Sequence, residues 1–202
     1  GGNILIINLI FFYIFNLIFD NSSLNDLFIE RRQLYSFLIS SIGIYLMGAF
    51  DDKYNLRPIT KIFIMIFFIS FSILGDSKLL IDQLRFSNFE IELRNYSLFF
   101  TVFCFLTFIN AINMFDGINL QSFYYNFSIV LFFLINNIFF KFFILITLSI
   151  LVFGYLNFKN KSFLGDSGCY ILASYLSFTT VYVYNSDLNT KSYFLNIESI
   201  FL

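Results

Sequence analysis

Long apolar runs alternate with short polar segments along the whole chain, at about residues 4–19, 34–50, 60–74, 97–112, 122–139, 142–158 and 168–184. A further run starts near Tyr193. A bilayer core about 30 Å thick takes roughly 20 mostly apolar residues per helix. β-Branched and aromatic residues would favour strands in water, but in lipid each backbone group needs a partner within its own segment, and the helix wins. The pattern predicts an all-α fold: a polytopic transmembrane helical bundle of about seven complete membrane helices plus a truncated eighth. No repeat and no linker interrupts it, so residues 1–202 are expected to form one integral membrane domain. The chain opens on Gly1-Gly2 without methionine and stops inside an apolar run, which reads as a fragment cut at both ends.

The polar segments are 20–33, 51–60, 75–97, 113–121, 157–168 and 185–192. Seven crossings put 51–60, 113–121 and 157–168 on one membrane face, and the others on the opposite face with a short turn near Lys141. Within 75–97, "LRFSNFEIELR" alternates about Ser87-Asn88, which predicts a short surface hairpin near 80–94. Basic residues do not orient the chain. Lys53, Arg57, Lys61, Lys159 and Lys161 lie on the first face, and the remaining seven of the 12 lie on the second.

Composition supports the membrane reading: 58% of residues are hydrophobic, 12% charged, and mean hydropathy is +0.79. Soluble domains carry about 25% charged residues. A net charge of −1 with no basic patch argues against a nucleic-acid partner. Cys104 and Cys169 sit in apolar surroundings and read as small buried hydrophobes. The chain has no histidine, so any general base must be Asp, Glu, Lys, Tyr or water, and zinc chemistry is disfavoured.

Chemistry concentrates in the three segments of the first face. "DDKYNLRPITK" (51–61) places Asp51 and Asp52 beside Lys53, Arg57 and Lys61, with Pro58 stiffening the start of the next helix. One reading is an interfacial salt-bridge cluster. The other is a metal-and-phosphate site, since Mg²⁺ takes one or two carboxylates plus substrate phosphates and Lys or Arg neutralises the remaining oxygens. In "NAINMFDGIN" (110–119), Asn110, Asn113 and Asp116 recur about once per turn, a spacing suited to holding a base or sugar. "KSFLGDSGCY" (161–170) opens a helix at Gly165-Asp166-Ser167-Gly168; alone Asp166 is a cap, but beside the other loops it is a candidate metal ligand.

"GAFDDKYNLRPITK", "NAINMFDGIN" and "FLGDSG", in this order between paired apolar helices, resemble the polyprenyl-phosphate N-acetylhexosamine-1-phosphate transferases (glycosyltransferase family 4). The resemblance spans nearly the whole chain. It implies transfer of N-acetylhexosamine-1-phosphate from a UDP-sugar to undecaprenyl phosphate with release of UMP. The enzyme would sit in the bacterial cytoplasmic membrane with its active face cytoplasmic. Asp51 and Asp52 match the catalytic acidic pair and Asp166 the metal ligand, for Mg²⁺ or Mn²⁺. Lys53, Lys61, Asn110, Asn113, Asp116 and Asn157 fall in the substrate-binding set. The resemblance favours the branch that begins O-antigen, lipopolysaccharide or other surface-glycan synthesis, with UDP-GlcNAc as an example donor, over the muramoyl-pentapeptide branch of peptidoglycan synthesis. It is compatible with a homodimer, and implies a His-containing loop beyond Leu202. A polytopic transporter is the rival class, but transporters place acidic residues near the bilayer midplane in repeated halves, and here they fall at helix ends.

Overall fold

The structure, a computed structural model, describes residues 2–19, 31–86, 89–116 and 120–190. Gly1, the hairpin tip Ser87-Asn88, Gly117 and the run from Tyr193 lie outside the described residues. The helices are α1 (Gly2–Phe19), α2 (Arg31–Tyr54), α3 (Pro58–Gly75), α4 (Ser97–Phe115), α5 (Gln121–Ile135), α6 (Phe140–Phe158) and α7 (Gly165–Thr190). The seven expected complete runs are each helical over most of their length. Four are long and apolar enough by themselves to cross a membrane: Arg32–Tyr54, Pro58–Gly75, Arg94–Phe115 and Phe140–Phe158. The expected count of seven spans is thus matched in helices but reached in membrane-length apolar windows by four; Gly2–Ile14 and Gln121–Ile135 are shorter.

Two boundaries moved for identifiable reasons. Helix α2 continues past Phe50 through the acidic pair to Tyr54, where Asn55 turns left-handed at φ +50° and ends it. Helix α5 stops at Ile135 rather than near 139. Asn137 and Phe139 take left-handed backbone, so the turn falls at 136–139 and Lys141 lies inside the first turn of α6. The Asn136-Asn137 pair was the turn signal, because asparagine tolerates this conformation.

Helix α7 is the axis of the bundle. Every residue from Ser167 to Thr179 is buried, and α1, α2 and α4 pack around it. A helix apolar on all sides is one surrounded by others. Small residues (Gly168, Ala173, Ser174 and Ser177) let neighbours approach, and the hydroxyls of Ser174 and Thr179 donate to Ile171 and Tyr175 carbonyls of the same helix. Outside this ring α3 packs on α2 and α4, and α5 pairs with α6. The outward faces carry exposed Phe63, Phe67 and Phe99, a surface suited to hydrocarbon rather than water.

Helix direction alternates, so one end of the bundle collects the ends of α2, α4 and α6 with the starts of α1, α3, α5 and α7. The other end carries the expected hairpin: β1 (Gln83–Arg85) pairs antiparallel with β2 (Glu90–Glu92), Leu84 facing Ile91. The hairpin is fixed to the end of α7. The Arg85 backbone N–H donates to the Tyr184 hydroxyl (2.8 Å), which donates to the Gln83 carbonyl (2.9 Å), and the Arg85 guanidinium donates to the Tyr184 carbonyl (3.0 Å). Tyr184→Phe removes the first two of these bonds, each contributing about 1 kcal/mol. Hydrogen exchange should then accelerate in 83–92 while the opposite end of the bundle keeps its protection; unchanged exchange in the hairpin would refute this anchoring.

Candidate active site

Asp51 and Asp52 are neighbours on the last turn of α2, so their side chains leave the helix about 100° apart. They do different things. Asp51 points inward and is 1% exposed. Its Oδ1 accepts the Leu56 N–H at 2.9 Å, tying down the turn that follows, and its Oδ2 makes an ion pair with Lys61 on α3. Pro58 begins α3 as the sequence implied, which sets Lys61 one turn in, facing back toward α2. Lys61 also lies 3.7 Å from Asp166 Oδ2.

Asp52 turns instead to the beginning of α7. Its Oδ1 accepts the Asp166 N–H at 2.8 Å and its Oδ2 the Ser167 N–H at 3.2 Å. Asp116, just after α4, completes the pattern: Oδ1 accepts the Leu164 N–H at 3.2 Å and Oδ2 the Gly165 N–H at 2.9 Å. Four consecutive N–H groups at the start of α7 are therefore taken by two carboxylates from other helices. The sequence suggested an anion at this helix start, and the chain's own side chains fill that role. A carboxylate that caps a helix start in this way contributes roughly 0.5–2 kcal/mol, with a further favourable term from the helix dipole.

Close backbone approach makes the arrangement feasible. A Cβ on Gly48 would lie 2.5 Å from the Ser167 Cα and 2.7 Å from its backbone nitrogen. A Cβ on Gly2 would lie 2.7 Å from the Gly168 nitrogen, and the Gly2 N–H donates to the Leu164 carbonyl at 3.2 Å. Glycine at these positions is what lets α1 and α2 close against the start of α7.

The centre of the site is a buried phenol. The Tyr170 hydroxyl lies 3.4 Å from Asp51 Oδ2 and 3.4 Å from Asp166 Oδ2, and Asn113 Nδ2 approaches it at 3.5 Å. Asp51, Asp166, Lys61, Asn113 and Tyr170 thus converge from α2, α7, α3 and α4. Asp166 precedes the apolar stretch of α7, and its carboxyl is pushed up to about 6, first by burial, then by the hydrogen bond and charge of Asp51, with Lys61 opposing. Burial also raises Asp116, against the pull of the Gly165 and Leu164 N–H groups.

The other expected residues stand apart from this centre. Lys53 is exposed, its ammonium 5.1 Å from the centre of the Tyr54 ring. Asn110 is exposed and donates to the Leu106 carbonyl of its own helix at 2.9 Å. Asn157 is buried as a brace: its Oδ1 accepts the Leu120 N–H at 2.7 Å, and its Nδ2 donates to the Ser162 carbonyl at 3.0 Å. Leu120 has φ +63°, a backbone that a branched side chain resists, and Asn157 holds it there. Sequence reasoning quoted Tyr170 and Gly48 without assigning them. Tyr170 was legible as Asp166 plus four, the same helix face; the role of Gly48 depends on which helix crosses it.

Among the described residues no three acidic, histidine or cysteine side chains form a metal cage. Asp51 and Asp166 supply two carboxylates, the number Mg²⁺ commonly takes alongside substrate phosphates. This donor set fits a divalent cation that takes its remaining ligands from elsewhere.

Residues 34–184 match the model of Glycosyl transferase family 4, well over half of the chain. The chain belongs to this family: it is a membrane protein and a transferase, acting between a nucleotide sugar and a lipid phosphate. A comparison with curated proteins finds no match.

The double cap yields a stability prediction. Asp52→Ala frees two N–H groups at the start of α7 and should cost about 1–2 kcal/mol, the range for a lost cap. Thermal unfolding of the purified chain in detergent measures it, and an unchanged melting temperature would contradict the structural role.

Proposed function

We propose that the chain transfers an N-acetylhexosamine-1-phosphate from a UDP-sugar to undecaprenyl phosphate, releasing UMP, at the cytoplasmic face of a bacterial membrane. The observation that carries this is the meeting of Asp51 and Asp166 with Lys61 at the one bundle end where all three acidic loops gather. A long isoprenoid acceptor brings its phosphate to the lipid–water boundary, and a site at helix ends receives it there. A carrier would need such groups near the midplane, and membership in a transferase family weighs the same way.

In this reading a lipid-phosphate oxygen attacks the phosphorus that bears the sugar. The bond from that phosphorus to the bridging oxygen breaks, and UMP leaves with the electron pair. Phosphoryl transfer asks chiefly for positioning and charge neutralisation. Mg²⁺ held by Asp166 and Asp51 would neutralise the diphosphate. Lys61, paired with Asp51, offsets further negative charge on the acceptor phosphate. Asp52 and Asp116 hold the start of α7, and with it Asp166, in register. Asn113, which approaches the centre, is the amide placed to meet the donor. The surface-glycan branch, as in O-antigen or lipopolysaccharide synthesis with a donor such as UDP-GlcNAc, is preferred to the muramoyl-pentapeptide branch on the motif resemblance.

The test incubates the full-length membrane protein with undecaprenyl phosphate, Mg²⁺ and a panel of UDP-sugars, and follows UMP. One donor should give turnover, and Asp51→Asn and Asp166→Asn should each lower kcat by about 100-fold or more, the size of a lost charge-stabilising group. No UMP from any donor would overturn the assignment.

A further inference from the structure

Tyr170 is 2% exposed, and its ring is embedded in the core; only its hydroxyl reaches the site. That hydroxyl is equidistant, at 3.4 Å, from carboxylate oxygens on two different helices, Asp51 on α2 and Asp166 on α7. It has one proton to donate. Asn113 Nδ2 donates to the phenol oxygen at 3.5 Å, so a lone pair is occupied on the α4 side and the phenolic proton is directed toward the carboxylates.

We propose that Tyr170 is a positioning residue for the carboxylate pair: its hydroxyl sets Asp51 and Asp166 at the spacing in which both take one divalent cation. This rests on the function proposed above. Asp51 and Asp166 lie close enough to share a hydrogen bond, but when both are ionised they repel, and something must hold them. Lys61 does so from one side, paired with Asp51 and 3.7 Å from Asp166, but it is a cation on a flexible, 25% exposed stem. An ammonium that closes the pair also competes with a metal for the same oxygens. The phenol is neutral, rigid and anchored by its buried ring, so it spaces the carboxylates without occupying them with charge. It also belongs to α7, so the double cap that fixes the start of α7 fixes the phenol with it.

The test measures Mn²⁺ binding to the full-length protein in detergent, by the resonance signal of free Mn²⁺, alongside metal-free thermal unfolding. Tyr170→Phe keeps the ring and should weaken Mn²⁺ binding about tenfold, as loss of a partner that orients a ligand does. A purely structural role would lower the unfolding temperature and leave Mn²⁺ affinity alone, which overturns the proposal. Asn113→Ala, which leaves the phenol unaimed, serves as a second variant and should weaken Mn²⁺ binding in the same direction; unchanged affinity there also overturns it. Asp166→Asn separates the two levels. If it abolishes Mn²⁺ binding while Tyr170→Phe has no effect, only the role of Tyr170 falls. If the unsubstituted chain holds no Mn²⁺, or Asp166→Asn changes nothing, the metal reading falls and takes this proposal with it.

Discussion

The beginning of α7 governs the rest of the structure. An α-helix starts with N–H groups that have no partner within the helix, and at the start of α7 other helices supply the acceptors. Asp52 and Asp116 supply four acceptor oxygens to the four N–H groups of 164–167. These carboxylates come from α2 and α4, so satisfying one helix start simultaneously sets the position of three helices. Nothing in the local sequence of α7 could do this, since its own Asp166 points away from the cap and toward Tyr170.

From that joint the division of labour among the acidic residues follows. Two carboxylates are spent on backbone groups and lie against the positive end of a helix. The other two, Asp51 and Asp166, face a lysine and a phenol, and neither has its charge fully met by backbone donors. An excess of negative charge at a boundary between lipid and water is costly unless a cation or a cationic partner arrives. Lys61 provides one positive charge for two carboxylates. The remaining charge is what the proposed divalent ion would answer. Adjacent residues thus hold separate offices because a helix turns about 100° between them.

The opposite end is built on different economics. There Tyr184, Asn185 and Tyr182 near the end of α7 hold the Arg85 and Lys78 segments through hydrogen bonds and cation–ring contacts. Arg85 is buried there, its guanidinium donating to the Tyr184 carbonyl at 3.0 Å. The two ends of one buried helix are thereby fixed, one by charge-assisted capping and the other by a tyrosine-pinned hairpin. Its orientation is not left to apolar packing, which in lipid has no directional preference.

The sequence by itself determined the helices, the hairpin about 83–92, and the gathering of 51–60, 113–121 and 157–168 at one end. Apolar run length and alternating crossings dictate these. It also determined that the chemistry would be carried by Asp, Lys and Asn, because no histidine exists. Tertiary structure alone decided which carboxylates cap α7 and which pair with Lys61, that Asn157 braces Leu120 while Lys53 and Asn110 stand apart from the centre, and that Tyr170 sits between Asp51 and Asp166. The reason is physical. Spacing along one helix fixes the face a residue occupies, but its partner is chosen by how closely other helices approach. Here that approach is set by glycines at 2, 48 and 168, whose effect no single segment reveals.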